Sequence, residues 1–391
     1  MSFLPLSGVR VVDVTTSLAG PYCTELLGAL GADVIKVEPP SGDSTRRMAG
    51  ARGADSPAFN AVNRGKRGIV LDLKGRAGQT AFRMLAAQAD VLIENYRPGV
   101  MRSFGLDYES LSALNPRLIY ASISGYGATG PDAEKGGFDL VAQGVSGIMS
   151  VTGEPGGPPM KAGLPLTDLG AGLYATAAIL AALHHRTRTG RGQHVDTSLL
   201  ESGVALSVWE ATEYFASGRP PQPVGSAHRM SAPYQAIQCA DGYITLAAAN
   251  DRLFVRVCGL LGHPEWATLP AFADDSGRVR HREALARRIE DVTKQQPRAH
   301  WLSLLESNDI PCGPINTYDQ VFDDAQVRAR NMVVETAHPT LGRLRTLGSP
   351  IKMSDTPVCV GRPAPLLGEH TTEVLREAGC DETLIAAILG T

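Results

Sequence analysis

The feature that most constrains the fold is an alternation of β-branched apolar runs and helical patterns in the N-terminal half. The runs VRVVDV (9–14) and ADVIKVE (32–38) flank the helical pattern PYCTELLGALGA. This arrangement is typical of two parallel strands joined by a right-handed helical crossover. The alternation continues with strands predicted at 68–73, 90–94 and 117–123 and helices predicted at 77–88 and 107–114. We therefore expect a doubly wound α/β domain.

The second half of the chain has a different organisation. Residues 125–163 are rich in glycine and proline, and an apolar helical pattern starts at Asp168 and precedes QHVDTSLL, a predicted strand. The stretch 217–228 predicts a linker, and APYQAIQCADGYITLAAAND predicts a β-hairpin with an Asp-Gly turn. A chain of 391 residues is long enough for two domains. We predict a large α/β domain over 1–200, a linker over 201–224, a small domain over 225–310, and a return linker and C-terminal part of the large domain over 311–391.

Glycine is over-represented, at 42 of 391 residues, and 12 of the 42 lie between Gly125 and Gly170. The average usage is about 7%. Because glycine lacks a Cβ atom, it allows the backbone to approach a ligand closely. The stretch therefore predicts a close approach of the backbone to a bound group near Asp168.

Charge and motifs exclude several classes of protein. The 37 Lys and Arg residues against 40 Asp and Glu residues leave a net charge of -3, which is not the footprint of a nucleic-acid-binding protein. The six cysteines form no C-x-x-C pair and no zinc-like spacing, so we expect no metal site, no disulfide framework and a reduced, cytoplasmic setting. The N-terminus has no signal-peptide pattern, and the apolar stretch Leu169–Leu183 is short for a membrane span, so no membrane contact is expected. The absence of G-x-G-x-x-G, Walker and G-x-S-x-G motifs argues against dinucleotide oxidoreductases, P-loop NTPases and α/β-hydrolases.

The most informative position is Asp168, in KAGLPLTDLGAGLYATAA. A carboxylate at the start of a buried helix lies near free N–H groups, which favour its ionised form and its use as a nucleophile. The alternative is that Asp168 or Thr167 is an N-cap, because helices commonly begin with these residue types. The local pattern favours the cap, since caps far outnumber nucleophiles.

A wider pattern changes that balance. In order along nearly the whole chain stand LSGVRVVDVTTSLAGPYCTELLGALGADVIKVEPPSGDSTR, NRGKRGIVLDLK, ADVLIENYRPGVMRSFGLDYESLSALNPRLIYASISGYGATGP, GGFDLVAQGVSG, LPLTDLGAGLYATAAILAALHHRTRTGRGQHVDTSLLES, APYQAIQCADGYITLAAAND, IPCGPIN and LGEHTTEVL. Together they resemble the class III CoA-transferases, the family of formyl-CoA transferase and carnitine CoA-transferase. The resemblance implies a large Rossmann-like α/β domain, a smaller α+β domain and an interlocked homodimer.

The resemblance also implies a reaction. In that family the aspartate at the position of Asp168 attacks an acyl-CoA thioester, and mixed anhydrides and an aspartyl-CoA thioester follow. A carboxylate suits this exchange because it is as weakly basic as the acids that are exchanged. Acyl-CoA and a small carboxylic acid are then the substrates, and no tightly bound cofactor is expected.

The CoA-binding residues that the resemblance implies lie in the turn after the first strand, in the ENYRPG segment and near the first strand pair: Leu18, Ala19, Arg46, Asn95, Arg97 and Arg102. Arginine suits phosphate because its forked donors make charge-assisted hydrogen bonds. The alternative for Arg97 and Arg102 is a solvated charge at a helix end. Pro39 replaces an arginine of the formyl-CoA enzymes, so part of the phosphate site must differ.

The residues implied for the acid are Phe138, Asp139, His228 and Arg229. Phe138 stands where the formyl-CoA enzymes have a tyrosine, which argues against oxalate. Asp139 either orients Asp168 or makes a loop hydrogen bond. Arg229 could bind the distal carboxylate of a dicarboxylic acid, and His228 is either a site residue or an idle linker residue. The segment around them most resembles succinyl-CoA-dependent dicarboxylate transferases.

Two alternatives remain. The related α-methylacyl-CoA racemases use a histidine in a G-H-D segment and a glutamate in the later hairpin, where this chain has Gly137-Phe138-Asp139 and Asn250-Asp251. Proton exchange at the α-carbon needs a base on each face, so this difference favours transfer. The other alternative is a CoA-binding protein without catalytic activity.

Overall fold

The structure is a computed structural model that describes residues 4–48, 50, 55–359 and 361–390. Its strands are β1 Arg10–Asp13, β2 Asp33–Glu38, β3 Arg67–Val70, β4 Val91–Glu94, β5 Ile119–Ser124, β6 His194–Ser198, β7 Tyr234–Cys239, β8 Gly242–Ala247, β9 Cys312–Pro314, β10 Val333–His338 and β11 Gly342–Leu347. The α-helices are α1 Ala19–Ala29, α2 Pro57–Asn63, α3 Arg76–Ala87, α4 Val100–Ser103, α5 Tyr108–Leu114, α6 Asp139–Val145, α7 Ile148–Val151, α8 Leu166–Thr189, α9 Leu199–Leu206, α10 Val208–Ser217, α11 Asp251–Leu260, α12 Asp275–Arg280, α13 Arg282–Thr293, α14 Arg298–Glu306, α15 Tyr318–Asp323, α16 Ala325–Ala329, α17 Thr371–Glu377 and α18 Glu382–Leu389. Two short 3₁₀ helices cover Ser44–Arg47 and Pro264–Thr268.

The central element is a six-stranded parallel sheet with the order β3-β2-β1-β4-β5-β6. One face packs against α3, α5, α17 and α18 through residues such as Phe82 and Leu375. The other face packs against α1 and α8 through residues such as Leu27 and Ile179. The strands are apolar on both faces because helices cover both faces, as in doubly wound folds. The predicted doubly wound α/β class is confirmed.

The chain divides into two compact units. The large unit comprises 1–148, 161–212 and 325–391, and the small unit comprises 149–160 and 213–324. In the large unit, the C-terminal segment returns to the sheet, where the His370 amide donates to the Gly68 carbonyl oxygen at 2.8 Å. The small unit therefore interrupts the large one in the sequence.

The small unit is built on the antiparallel sheet β7-β8-β9. Its core includes Ile237, Phe254, Leu285 and Trp301, from the hairpin and from helices α11, α13 and α14. The unit extends beyond the predicted 225–310, because β9 lies after residue 310 and pairs with β8. The predicted linker 201–224 contains most of α9 and all of α10.

The helix α8 is the longest helix that the structure describes, with 24 residues, and it carries Asp168. Its length and hydropathy are those of a membrane-spanning helix, yet half of its most apolar 18-residue stretch is buried inside the protein. Within the described residues it lies against the sheet, α1 and α9, which is typical of a core helix.

Candidate active site

Asp168 lies in the first turn of α8, two residues after the helix begins at Leu166. It is therefore not the N-cap, and neither is Thr167, because Pro165 occupies that position without a side-chain hydrogen bond. Burial, followed by the charge of Asp139, raises the pKa of Asp168 to about 6. This direction is opposite to the one expected from the helix N-terminus alone, because loss of solvation and the like charge of Asp139 both disfavour the ionised form.

Asp139 holds the start of the helix that carries Asp168. Its Oδ1 accepts hydrogen bonds from the Thr167 amide at 3.0 Å and from Thr167 Oγ1 at 2.8 Å. Its Oδ2 accepts from Gln143 Nε2 at 2.7 Å. Asp139 thus supplies from α6 the cap that α8 lacks locally, and it acts on the helix start and on the charge of the site.

The glycines around Asp168 serve packing on two sides. A Cβ atom at Gly170 would lie 2.3 Å from Ser202 Oγ on α9, and one at Gly172 would lie 2.7 Å from the carbonyl oxygen of Ala19. Gly172 therefore brings α8 against the start of α1. The predicted close approach to a ligand does not apply to these two glycines, because protein atoms occupy the space.

Three predicted CoA-binding residues meet at the carboxyl end of β1. Leu18 is the N-cap of α1, and Ala19 contacts α8 at Gly172, one helical turn after Asp168. Asn95 binds the same turn, because it accepts from the Thr16 amide and donates to the Thr16 carbonyl oxygen, both at 2.8 Å. Ligands of doubly wound folds bind at the carboxyl ends of the strands, and this is where the three residues lie.

The predicted arginines Arg97 and Arg102 lie in different surroundings. Arg97 is exposed, and its Nη2 would lie 2.8 Å from a Cβ atom at Gly136, in the loop that leads to Phe138 and Asp139. Arg102 is 71% exposed and pairs with Asp107 and Glu109 at 3.2 and 3.4 Å. Of the two, Arg97 reaches toward the loop that precedes Asp139, whereas Arg102 is held by surface carboxylates.

Arg46 does not reach the surface. It donates to both oxygens of Glu38, at 2.7 and 2.8 Å, and it pairs with Asp55. Because these carboxylates and the Pro365 carbonyl oxygen occupy its guanidinium, the expected contact with a CoA phosphate is corrected to a buried structural ion pair.

The residues predicted for the acid lie in both units. Phe138 is in the large unit and is 75% exposed directly before α6. His228 and Arg229 are in the small unit, where the imidazole stacks on Tyr234 at 4.9 Å. Arg229 donates to the Gln222 carbonyl oxygen at 2.6 Å and pairs with Glu213 at 3.5 Å.

Sequence reasoning missed a group of charged residues below the turn that bears Leu18. Asp13, Lys36 and Lys66 are all completely buried in the large unit. The available signal was a charged residue inside an apolar strand, in VVDV and VIKVE. The described residues contain no cluster of three or more His, Cys, Asp or Glu side chains with the geometry of a metal site.

Taken together, the fold and the site define a doubly wound α/β protein that presents one partly buried carboxylate beside the carboxyl ends of its strands. Residues 6–371 match the sequence profile of CoA-transferase family III. The chain belongs to this family, and it is a CoA-transferase that uses CoA thioester substrates.

Known relatives agree with this assignment. The chain is 43% identical to succinate–glutarate CoA-transferase of Agrobacterium fabrum, over 95% of each protein. It is 40% identical to human succinyl-CoA:glutarate CoA-transferase, over 95% of this chain and 86% of the human protein. The crystal structure of a CAIB/BAIF family protein from Brucella suis superposes with a TM-score of 0.86 at 42% identity, covering 97% of this chain and all of that one.

Proposed function

We propose that the protein transfers CoA from succinyl-CoA to a dicarboxylic acid and that Asp168 is the nucleophile. The observation that carries the nucleophile is the isolation of its carboxylate. Among the described residues, none donates a hydrogen bond to the Asp168 carboxylate, and burial together with Asp139 raises its pKa to about 6. Such a carboxylate is ionised at neutral pH and keeps its lone pairs available for attack.

The steps balance without a cofactor. An oxygen of Asp168 attacks the thioester carbonyl, the C–S bond breaks, and the CoA thiolate departs. A mixed anhydride between Asp168 and the succinyl group forms. The thiolate then attacks the aspartyl carbonyl, which releases succinate and forms an aspartyl-CoA thioester. The acceptor carboxylate attacks the carbonyl of the aspartyl thioester, the C–S bond breaks, and a second mixed anhydride forms between Asp168 and the acceptor. Attack of the thiolate on the acyl carbon of the acceptor then forms the new thioester and releases the Asp168 carboxylate. The partial burial of Asp168 favours this sequence, because water would hydrolyse the anhydrides.

The choice of acids rests on the relatives, which act on succinate or succinyl-CoA and on glutarate by name. Arg229 is our candidate for binding the distal carboxylate, since a guanidinium recognises carboxylates through forked hydrogen bonds. Replacing Arg229 with Met should raise KM for a dicarboxylic acceptor and leave KM for a monocarboxylic acceptor unchanged. An equal rise for both acceptors would contradict this role.

The test of the nucleophile is trapping. Incubation with succinyl-CoA and hydroxylamine should convert Asp168 into a hydroxamate, detected by peptide mass spectrometry, and Asp168→Asn should show none. CoA binding without any trapped adduct would instead indicate a binding protein. Release of deuterium from the α-carbon of a labelled 2-methylacyl-CoA would indicate the racemase reaction.

We also propose that the protein acts as an interlocked homodimer in the cytoplasm without a tightly bound cofactor. Supporting the dimer, Val204, Leu206 and Trp209 are each about half exposed in the single chain. The three side chains lie within six consecutive residues, from α9 to the start of α10, and exposed apolar patches are typical of interfaces. Sedimentation velocity should give the mass of two chains, and a monomer at micromolar concentration would contradict the dimer.

A further inference from the structure

The turn from Thr15 to Pro21 joins β1 to α1, includes the first three residues of that helix and is held by several hydrogen bonds. Asn95 binds both the amide and the carbonyl oxygen of Thr16. Ser17 has a φ of 67°, in the left-handed region that non-glycine residues rarely adopt. A Cβ atom at Gly20 would lie 2.3 Å from Thr15 Cβ, so the two ends of the turn are in close contact. Such a turn needs support from its surroundings.

The support below the turn includes a buried aspartate. Asp13, the last residue of β1, accepts from the Thr15 amide at 2.9 Å and from Thr15 Oγ1 at 2.6 Å. Its second oxygen accepts from Thr24 Oγ1 at 2.7 Å and from Lys66 Nζ at 2.8 Å. Asp13 thus connects β1, the turn and α1.

Two buried lysines bind the backbone at the two ends of the turn. Lys36 Nζ donates to the Thr15 carbonyl oxygen at 2.8 Å and pairs with Asp43 at 3.1 Å. Lys66 Nζ donates to the Pro21 carbonyl oxygen at 3.1 Å and to Asn63 Oδ1 at 2.8 Å. The backbone carbonyls before and after Leu18 are therefore fixed by charged donors, which make stronger hydrogen bonds than neutral ones.

Stability alone does not account for this arrangement. Buried ion pairs add little net stability compared with apolar residues of similar volume, because desolvation opposes the attraction. The cluster of Asp13, Lys36 and Lys66 does provide a defined position for the turn. Between Thr15 and Ser17 the turn has no apolar side chain that is large enough to fix it.

We propose that Asp13, Lys36 and Lys66 are positioning residues that preorganise the Thr15–Pro21 turn for the CoA portion of the substrate. This inference rests on the proposed function and on the CoA-binding role that the family resemblance implies for Leu18 and Ala19. A turn that is ordered before binding loses less conformational entropy when CoA binds, so the cluster increases affinity without touching the ligand.

The test compares two adjacent buried cations in the full-length protein. Lys66→Met removes the charged donor to Asp13 and to the Pro21 carbonyl oxygen, and Arg67→Met is the matched control. Arg67 is also buried, but its guanidinium pairs with Asp33, Glu373 and Glu377, and none of these partners belongs to the turn. The measurements are Kd for CoA by calorimetry, kcat and KM for succinyl-CoA, and urea unfolding.

We expect Lys66→Met to raise Kd and KM on the order of tenfold, the effect of losing one charged hydrogen bond, with kcat per folded molecule changed less than about twofold. Arg67→Met should lower stability and leave Kd unchanged. A merely structural role for Lys66 would reduce the active fraction and leave KM unchanged, and that result would overturn the proposal.

Two further variants keep the outcome decisive. If Lys66→Met fails to fold, the milder Thr24→Val, which removes one bond to Asp13, should still raise Kd by roughly two- to threefold. Leu18→Glu places a negative charge in the turn itself and should weaken CoA binding strongly. If Leu18→Glu weakens CoA binding but Lys66→Met and Thr24→Val do not, positioning by the cluster is overturned, while the role of the turn in CoA binding is retained. If Leu18→Glu also has no effect, the turn does not bind CoA, and both the cluster's role and this part of the proposed site are overturned.

Discussion

Asp13 is a buried aspartate of the large unit and Asp168 is a partly buried one, and the charges and hydrogen-bond donors around them differ. Asp13 accepts four hydrogen bonds and lies beside Lys66 and Lys36. Asp168 accepts none from the described residues and lies near the negative charge of Asp139. Burial raises the pKa of both, but the lysines and hydrogen bonds reverse the effect at Asp13 and hold its pKa well below the usual range. At Asp168 nothing reverses it, and the pKa is about 6.

The comparison shows that burial alone does not make a carboxylate reactive. The lone pairs of Asp13 are directed at donors, and its charge is balanced by cations, so it is a poor nucleophile. The lone pairs of Asp168 are uncommitted, and a raised pKa means a more basic oxygen, which attacks a carbonyl more readily.

The largest effect that would sharpen this comparison is the loss of activity in Asp168→Asn. Transfer should fall by roughly 10⁴-fold or more, because the covalent path is lost while CoA binding remains. Initial rates with succinyl-CoA and glutarate measure the transfer activity, and calorimetry with CoA measures CoA binding. Turnover within about tenfold of the wild type would remove Asp168 from the mechanism.

Asp13→Asn should have its main effect on stability. The free energy of unfolding should fall by about 3–5 kcal/mol, because Lys66 would be left buried without its partner carboxylate. Urea unfolding measures this, and Asp291→Asn on the exposed side of α13 is the control, expected to stay within about 0.5 kcal/mol of the wild type. Equal stability of the two variants would contradict the structural role of Asp13.

Asp168→Asn should change stability in the other direction. The folded-state pKa of about 6 lies above the ordinary aspartate value of 3.8, so ionisation of Asp168 destabilises the fold as pH rises from about 4 to above 6. The Asn variant has no charge there, and it should be more stable by about 1–3 kcal/mol at pH 7.5. The gain should disappear near pH 4, where the wild-type carboxyl is protonated in the fold. Urea unfolding at both pH values tests this, and a loss of stability at pH 7.5 would refute it.

The smallest effect concerns Asp139. In the wild type, kcat/KM should rise with pH through about 6 as Asp168 ionises. Asp139→Asn removes the like charge and keeps an oxygen that can accept from Thr167. The acid limb should therefore move to lower pH, by less than about one unit. An upward shift would mean that Asp139 does not act on Asp168 by its charge.

The fold was predictable because its signals are local. Apolar runs such as VVDV and VIKVE alternate with helical patterns, and the same runs form β1 and β2 of the parallel sheet. The boundaries of the small unit were less predictable. Its sheet includes β9, a strand of three residues that has no apolar period and exists because β8 offers it a partner.

The site was predictable in part. Asp168 stands out in the sequence only through the long resemblance, since an aspartate at a helix start is usually a cap. The role of Asp139 as a cap from α6 depends on a contact between residues 28 positions apart. Arg46 was expected to bind phosphate, but Glu38 and Asp55 already occupy it, and sequence patterns do not show which opposite charges will meet.

The sequence by itself determined the doubly wound architecture, the family and the candidate nucleophile, because periodicity and long ordered motifs are properties of the chain. The tertiary structure alone decided which charges are paired. It surrounds the Asp13 carboxylate with four donors, one of which is Lys66, and places Lys36 nearby, whereas it leaves the Asp168 carboxylate near a like charge and without a donor among the described residues. Electrostatic character depends on distance and solvation, and both arise only when distant segments pack together.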